Sequence, residues 1–165
     1  MDIMQQASVR RVQPRVYFAA PLFSEAERMF NVYVTTDLQK WADIYLPQRD
    51  GGLMAEMTSA GVAPDVAACR VFKRDVTAIR EADYLIAVLD GRAIDEGVAF
   101  ELGVAFCHGK RCIGLQTDPR RLASWGNNPM ITGALEIVFD SVEALLAWME
   151  REVAGAPLHS QSVSK

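Results

Sequence analysis

The chain has 165 residues, half of them hydrophobic, with 17 basic residues against 21 acidic ones and a net charge of −4. That length suits one domain with a sizeable core, no apolar run reaches the roughly 18 residues of a membrane span, and the N-terminus lacks the basic-then-apolar profile of a signal peptide. An acidic chain without a Lys/Arg block is not built to coat a nucleic acid, and three scattered cysteines (Cys69, Cys107, Cys112) with two histidines (His108, His159) show no zinc-ligand spacing and point to a reducing, cytoplasmic setting.

Residues 1–14 are polar and unpatterned and are expected to form a tail. Arg15–Ala20 (RVYFAA) reads as a strand ending at Pro21. Ser24-Glu25-Ala26-Glu27 is a capping box, in which serine and glutamate satisfy each other's unpaired backbone amides. The helix that follows carries Phe30, Val34, Leu38 and Trp41 along one stripe. Asp43–Pro47 is a second strand, and residues 48–63, rich in Gly and Met, are long for a simple connection and suit a loop over a site.

Pro64 opens a helix through about Glu81, with Val66, Phe72, Val76 and Ile79 near one face. Tyr84–Leu89 is uninterruptedly apolar, as a central strand buried on both faces should be. Asp95 to His108 reads as a helix, Arg111–Gln116 as a strand, residues 117–133 as a long loop, and Leu135–Phe139 as a last strand. Asp140-Ser141 caps a closing helix with Val142, Leu145, Leu146 and Met149 as core candidates, and residues 154–165 form a second tail. The domain thus occupies 15–153. This β-α-β-α order predicts an α/β fold, a flavodoxin-like (Rossmann-like) three-layer sandwich with a five-stranded, mainly parallel sheet. Ligands of such sheets bind beyond the strand C-termini.

The stretch from Leu89 to Gly103 begins where that rule places ligands. Asp95 stands at a helix N-cap position, and Glu101 is the one charge inside a helix otherwise made of Val98, Ala99, Phe100, Leu102, Gly103, Val104, Ala105, Phe106 and Cys107. A helix apolar all round is normally buried. A lone carboxylate inside it costs several kcal/mol unless paired or hydrogen-bonded, which favours function over structure for Glu101. Asp95 alone reads first as a cap, and Asp75, at the edge of its helix's apolar stripe, reads first as a boundary residue paired with a neighbouring base. Tyr17 in the first strand reads as core, although beside Glu101 its phenol would orient the carboxylate. Asn127-Asn128-Pro129-Met130 and Asp90-Gly91 read as turns. No glycine pattern makes a dinucleotide or Walker phosphate loop.

Taken together, VYFAAPLFSEAE, VFKRDVTAIREADYLIAVLDG, DEGVAFELGVAF and NNPM resemble, in order and spacing, the nucleoside 2-deoxyribosyltransferase family over roughly Val16 to Phe139. The resemblance implies that Glu101 is a nucleophile attacking the anomeric carbon of a 2′-deoxyribonucleoside, that Tyr17 holds that carboxylate, and that Asp75 and Asp95 contact the base and handle its proton. It implies that Phe23 and Gln48 shape the base and sugar pocket and that Asn128 and Met130 reach the sugar of a neighbouring subunit's site. The implied partners are 2′-deoxyribonucleosides and free nucleobases, with no cofactor or metal, in a homohexamer built as a trimer of dimers.

The residue types suit that chemistry. Cleavage of an N-glycosidic bond passes through an oxocarbenium-like state that an adjacent carboxylate stabilises and then traps, and a second carboxyl with a different pKa helps the base to leave. Two rivals share the fold. One is a nucleoside 5′-monophosphate N-glycosidase, in which water resolves the intermediate; such enzymes carry a Gly/Ser/Arg-rich loop after the first strand, whereas here Ala19–Phe23 is followed by no basic residue before Arg28. The other is a non-catalytic nucleotide-binding module.

Overall fold

A computed structural model describes residues 13–124 and 126–155; the expected tails 1–12 and 156–165 lie outside the described residues. Five short runs form the strands β1 (Arg15–Ala19), β2 (Asp43–Tyr45), β3 (Tyr84–Val88), β4 (Arg111–Leu115) and β5 (Ile137–Phe139). All neighbours pair in parallel, in the order β2-β1-β3-β4-β5. The expected sheet is therefore wholly rather than mainly parallel. The order reverses between β1 and β3, which makes their carboxyl ends the switch point where open α/β sheets bind ligands.

Helices cover both faces. On one side lie α1 (Glu25–Leu38) and the closing helix, which encloses Val16, Phe18, Ile86, Val88 and Ile113 with Val34, Leu38, Leu145, Trp148 and Met149. On the other lie α3 and α4, over Tyr17, Ala19, Leu85, Ala87 and Cys112. Strand residues alternate between these two cores because successive side chains point to opposite faces. In chain order the helices are α1, α2 (Met54–Ser59), α3 (Pro64–Glu81), α4 (Glu96–Cys107), α5 (Pro129–Thr132) and α6 (Val142–Ala154). Gly114 in β4 is required by packing: a Cβ there would lie 3.0 Å from both Leu89 Cδ1 and Val138 Cγ2.

The Ser24 capping box forms as predicted, with Ser24 Oγ accepting from Glu27 N and Glu27 Oε2 accepting from Ser24 N. Several expectations need correction. Residues 48–63 are not a plain loop, since Pro47–Gly51 make a π-helical turn and α2 follows. Within 117–133, Asn128 caps the short helix α5 instead of marking a simple turn. Trp41 lies beyond the end of α1, though it still packs on the core. In α6 the side chain missing from the expected core is Trp148, which is fully buried, and Ala154 belongs to the helix.

The largest departures concern the outer faces of α3 and α4. Of the expected α3 stripe Ile79 is buried and Val76 half-buried, but Val66 and Phe72 are exposed, and Ala67 is buried in addition. The helix α4 is not enclosed all round: Val98, Leu102 and Ala105 pack inward, but Phe100 and Phe106 are each more than half exposed. Phe72 and Phe100 meet across the α3–α4 seam, with ring centroids 6.0 Å apart. Among the described residues no helix is long and apolar enough to cross a membrane.

Candidate active site

Parallel pairing sets Tyr17 in β1 beside Tyr45 in β2, and both point toward the α3–α4 layer. Their rings stack with centroids 5.3 Å apart and planes 17° from parallel. Each phenol ends on a carboxylate. Tyr17 Oη donates to Glu101 Oε1 at 2.5 Å, and Tyr45 Oη donates to Asp75 Oδ1 at 2.8 Å. Glu101 comes from the second turn of α4 and Asp75 from the middle of α3, so two helices and two strands converge on one polar spot inside an otherwise apolar layer. The site lies deeper than the fold rule suggests: Tyr17 is the middle residue of its strand, and Asp95 stands at the mouth.

Asp95 is the N-cap of α4, its Oδ1 accepting from Gly97 N at 2.9 Å and Val98 N at 3.1 Å. Both carboxylates of Asp75 and Asp95 act on Glu101 by charge. Burial pushes the Glu101 carboxyl up to about 7, Tyr17's hydrogen bond pulls it back, and the charges of Asp75 and Asp95 add to the rise. Asp75 is also raised, by burial, against the hydrogen bond from Tyr45 and the charge of Arg74. Burial and the neighbouring Glu101 charge drive the Tyr17 phenol far above its ordinary range, so it stays a donor. Among the described residues no ion pair forms to Glu101, Asp75 or Asp95. The expected pairing of Asp75 with a neighbouring base is therefore corrected: its partner is a phenol.

Such an arrangement can do acid–base and nucleophilic work. A carboxyl poised near neutrality and gripped by one donor keeps a second oxygen, Oε2, available to attack, while a second acid with a raised pKa can carry a proton.

The remaining predicted residues are placed differently. Phe23, in the turn after β1, is 76% exposed. Gln48 is the second residue of the π-helical turn, and its amide is engaged at both ends: Oε1 accepts from Asn31 Nδ2 at 2.9 Å and Nε2 donates to Arg28 O at 3.1 Å. Asn128 uses its Oδ1 to cap α5, and Met130 is 81% exposed. Asn128 borders a cavity of about 190 Å³ with Ile94 and Ala99. Ala99 and Glu101 are two positions apart on α4 and so project about 200° from one another, which puts Asn128 on the far flank of the helix from this chain's own Glu101. A groove of about 590 Å³ runs between β2 and the C-terminal half of α3. Most of its acids are paired with arginines, Glu81 with Arg15 and Asp50 with Arg49, so the acid cluster without ion pairs is the better candidate.

Sequence reasoning missed three residues here. Tyr45 sat in a strand, but the register that sets it beside Tyr17 has no local signature. Asn31, buried in α1, clamps Gln48 to Pro21 O at 2.9 Å; a polar residue on the inward stripe of an amphipathic helix was the available signal. Gly51 packs against Asp75 and is treated below.

Comparison with known proteins gives a match of residues 16–157 to the family model described as nucleoside 2-deoxyribosyltransferase. A comparison with curated protein sequences gives no match. Among solved structures, a conserved protein from Enterococcus faecalis V583 is 28% identical with a TM-score of 0.72, the alignment covering 86% of this chain and 99% of that one. A 2-deoxyribosyltransferase from Bacillus psychrosaccharolyticus is 20% identical with a TM-score of 0.65, over 82% of this chain and 95% of that one. A CMP N-glycosidase from Clostridium botulinum is 20% identical with a TM-score of 0.50, over 82% of this chain and 98% of that one.

Proposed function

Because the chain belongs to the nucleoside 2-deoxyribosyltransferase family, we propose that it moves the 2-deoxyribosyl group of a 2′-deoxyribonucleoside from one nucleobase to another, in nucleoside salvage within the cytoplasm. The observation that carries this reading is Glu101: a buried carboxyl raised to about 7, gripped by Tyr17 and facing two other acids without a cation. In the first half-reaction a Glu101 oxygen attacks C1′ as the N-glycosidic bond breaks. The bonding pair leaves with the base nitrogen, which takes a proton from Asp75 or Asp95. In the second, a new base attacks C1′ of the glutamyl ester, returns its proton to the acid and frees the Glu101 carboxylate. Two displacements retain the β configuration and give ping-pong kinetics. No step calls on a metal or organic cofactor.

Phe23 and Gln48 border the base and sugar in this reading, Gln48 by holding the turn in place. Asn128 and Met130 serve a neighbouring subunit's sugar in this reading, supported by the place of Asn128 on the flank of α4 away from this chain's Glu101 and by the exposure of Met130. Self-association, as a hexamer of three dimers, is supported by the exposed rings of Phe72 and Phe100, which meet across the α3–α4 seam. The glycosidase alternative needs a cation for a 5′-phosphate beside the loop after β1. The first one there, Arg28, has its Nη1 occupied by Leu22 O and Phe23 O at 3.2 and 2.9 Å.

The test is to incubate the protein with deoxyinosine or thymidine and free adenine. Formation of deoxyadenosine, abolished by Glu101→Ala, supports the transferase. Base release independent of acceptor identifies a hydrolase, and the absence of turnover with all common deoxynucleosides and their 5′-monophosphates identifies a binding module. Equal rates with adenosine and deoxyadenosine would also count against it, since a 2′-hydroxyl crowds so tightly held a nucleophile.

A further inference from the structure

The carboxylate of Asp75 is held from two sides, and neither contact is needed for the fold of α3 itself. Tyr45 Oη donates to Oδ1 at 2.8 Å. Beside that phenol the backbone of Gly51 comes so close that a Cβ there would stand 2.8 Å from the same Oδ1 and 3.5 Å from Tyr45 Oη. The turn that carries Gly51 is itself fixed: Asp50 Oδ2 accepts from Leu46 N at 2.8 Å, and Arg74 Nη1 reaches Asp50 O at 3.3 Å. The other oxygen, Oδ2, accepts no hydrogen bond among the described residues.

Resting on the transferase reading, we propose that Tyr45 is a positioning residue that decides which oxygen of Asp75 carries the exchangeable proton. A phenol that donates to Oδ1 occupies that oxygen, so the carboxylic proton of Asp75 resides on Oδ2. Tyr45 cannot lose its own proton in the process, because burial and its bond to Asp75 raise its pKa well above the ordinary value. When the base departs, Asp75 Oδ2–H gives its proton to the base nitrogen and becomes a carboxylate whose Oδ1 is still held by Tyr45. When the acceptor base attacks, its proton returns to Oδ2. Stacking of Tyr45 on Tyr17 ties this acid to the nucleophile, so both phenols and both acids keep one relative geometry. The groups facing Asp75 are Tyr45 from β2, Tyr17 from β1, Glu101 from α4 and Arg74 from α3.

Tyr45→Phe keeps the ring and removes only the hydroxyl. With deoxyinosine or thymidine as donor, kcat should fall about 10- to 100-fold, within the range of a misplaced general acid, while KM for the donor changes less than about twofold. With a nitrophenyl 2-deoxyriboside, whose leaving group needs no proton, glycosyl-enzyme formation should proceed at the wild-type rate. Gly51→Ala, which puts a methyl against Oδ1, should reproduce that selectivity with Tyr45 intact. In the resting protein, 13C NMR of labelled aspartate should show the Asp75 midpoint moving upward in Tyr45→Phe, since the bond from Tyr45 lowers it. Equal losses on both donors, or an unmoved Asp75 midpoint, would overturn the proposal. If wild-type protein transfers no deoxyribose at all, the transferase reading fails on its own, and the NMR titration still decides the Tyr45–Asp75 link.

Discussion

The two faces of the sheet each bury a tyrosine against acidic residues, and they solve the charge problem in opposite ways. On the α6 face, Tyr84 Oη donates to Glu152 Oε1 at 3.0 Å, and Arg111 spans Tyr84, Glu136 and Glu152 with its guanidinium 5.0 Å from the Tyr84 ring. Every charge there has an opposite charge beside it. On the α3–α4 face, Glu101 and Asp75 lie half-buried against two phenols, with the Asp95 charge acting on Glu101 and no ion pair to any of the three among the described residues. The first arrangement is a clamp that closes the strand edge over Trp148. The second leaves Glu101 raised by burial and by the charges of Asp75 and Asp95, and Asp75 raised by burial, a condition that costs stability and suits chemistry. Compensation, more than the presence of tyrosine and carboxylate, separates a structural cluster from a reactive one.

The sharpest way to break that contrast is Glu101→Gln. Removing the nucleophile should lower transfer at least about 1,000-fold, read as deoxyadenosine formed from deoxyinosine and adenine. The same change should stabilise the fold at neutral and alkaline pH. The unfolded chain releases the Glu101 proton near the ordinary 4.5, whereas the native protein holds it up to about 7. Between those values the native state binds more protons, so this residue's contribution to stability declines as pH rises through the window and stays low above it. Gln cannot ionise, so chemical denaturation should find the variant more stable by roughly 2 kcal/mol at pH 8, with the difference vanishing by about pH 4. A variant both inactive and less stable at pH 8 would remove Glu101 from the reactive class.

Tyr17→Phe tests the grip on the nucleophile and should cost about 10- to 100-fold at pH 7. Its hydrogen bond lowers the Glu101 pKa, so deleting it moves the acid limb of the kcat/KM profile from about 7 to higher pH. The deficit should shrink between pH 7 and pH 9. A loss independent of pH would make Tyr17 a packing residue.

Much of this comparison was legible before any coordinates. Glu101 stood out as a solitary charge in an apolar helix, and the parallel five-stranded sheet followed from short apolar runs alternating with capped helices. What could not be read were the relations between segments. Tyr45 joins the acid cluster only through its register with Tyr17, and Asp75 only through a phenol 30 residues away in sequence. The exposed Phe72, Phe100 and Phe106 also escaped prediction, because hydrophobic periodicity says that a side chain avoids water without saying whether its own chain or another supplies the cover. Tyr84, Arg111 and Glu152 carried no signal either, since their cluster is assembled from the starts of two strands and the last turn of the final helix.

The smallest effect belongs to that compensated cluster, and it completes the test. Glu152→Gln keeps an acceptor for Tyr84 and leaves Arg111 paired with Glu136. Because the site is partly open to water and the guanidinium retains one carboxylate, the loss of stability should be no more than about 1 kcal/mol, as for other solvent-accessible ion pairs, and should lessen in high salt. Transfer activity should stay within about twofold of wild type, since the cluster lies on the opposite face of the sheet from Glu101. Denaturation midpoints at low and high salt, measured beside the acceptor assay, separate the two quantities. Were Glu152→Gln to lower activity as strongly as Tyr17→Phe, the two faces would be coupled through β3, and charge compensation would no longer mark a cluster as structural.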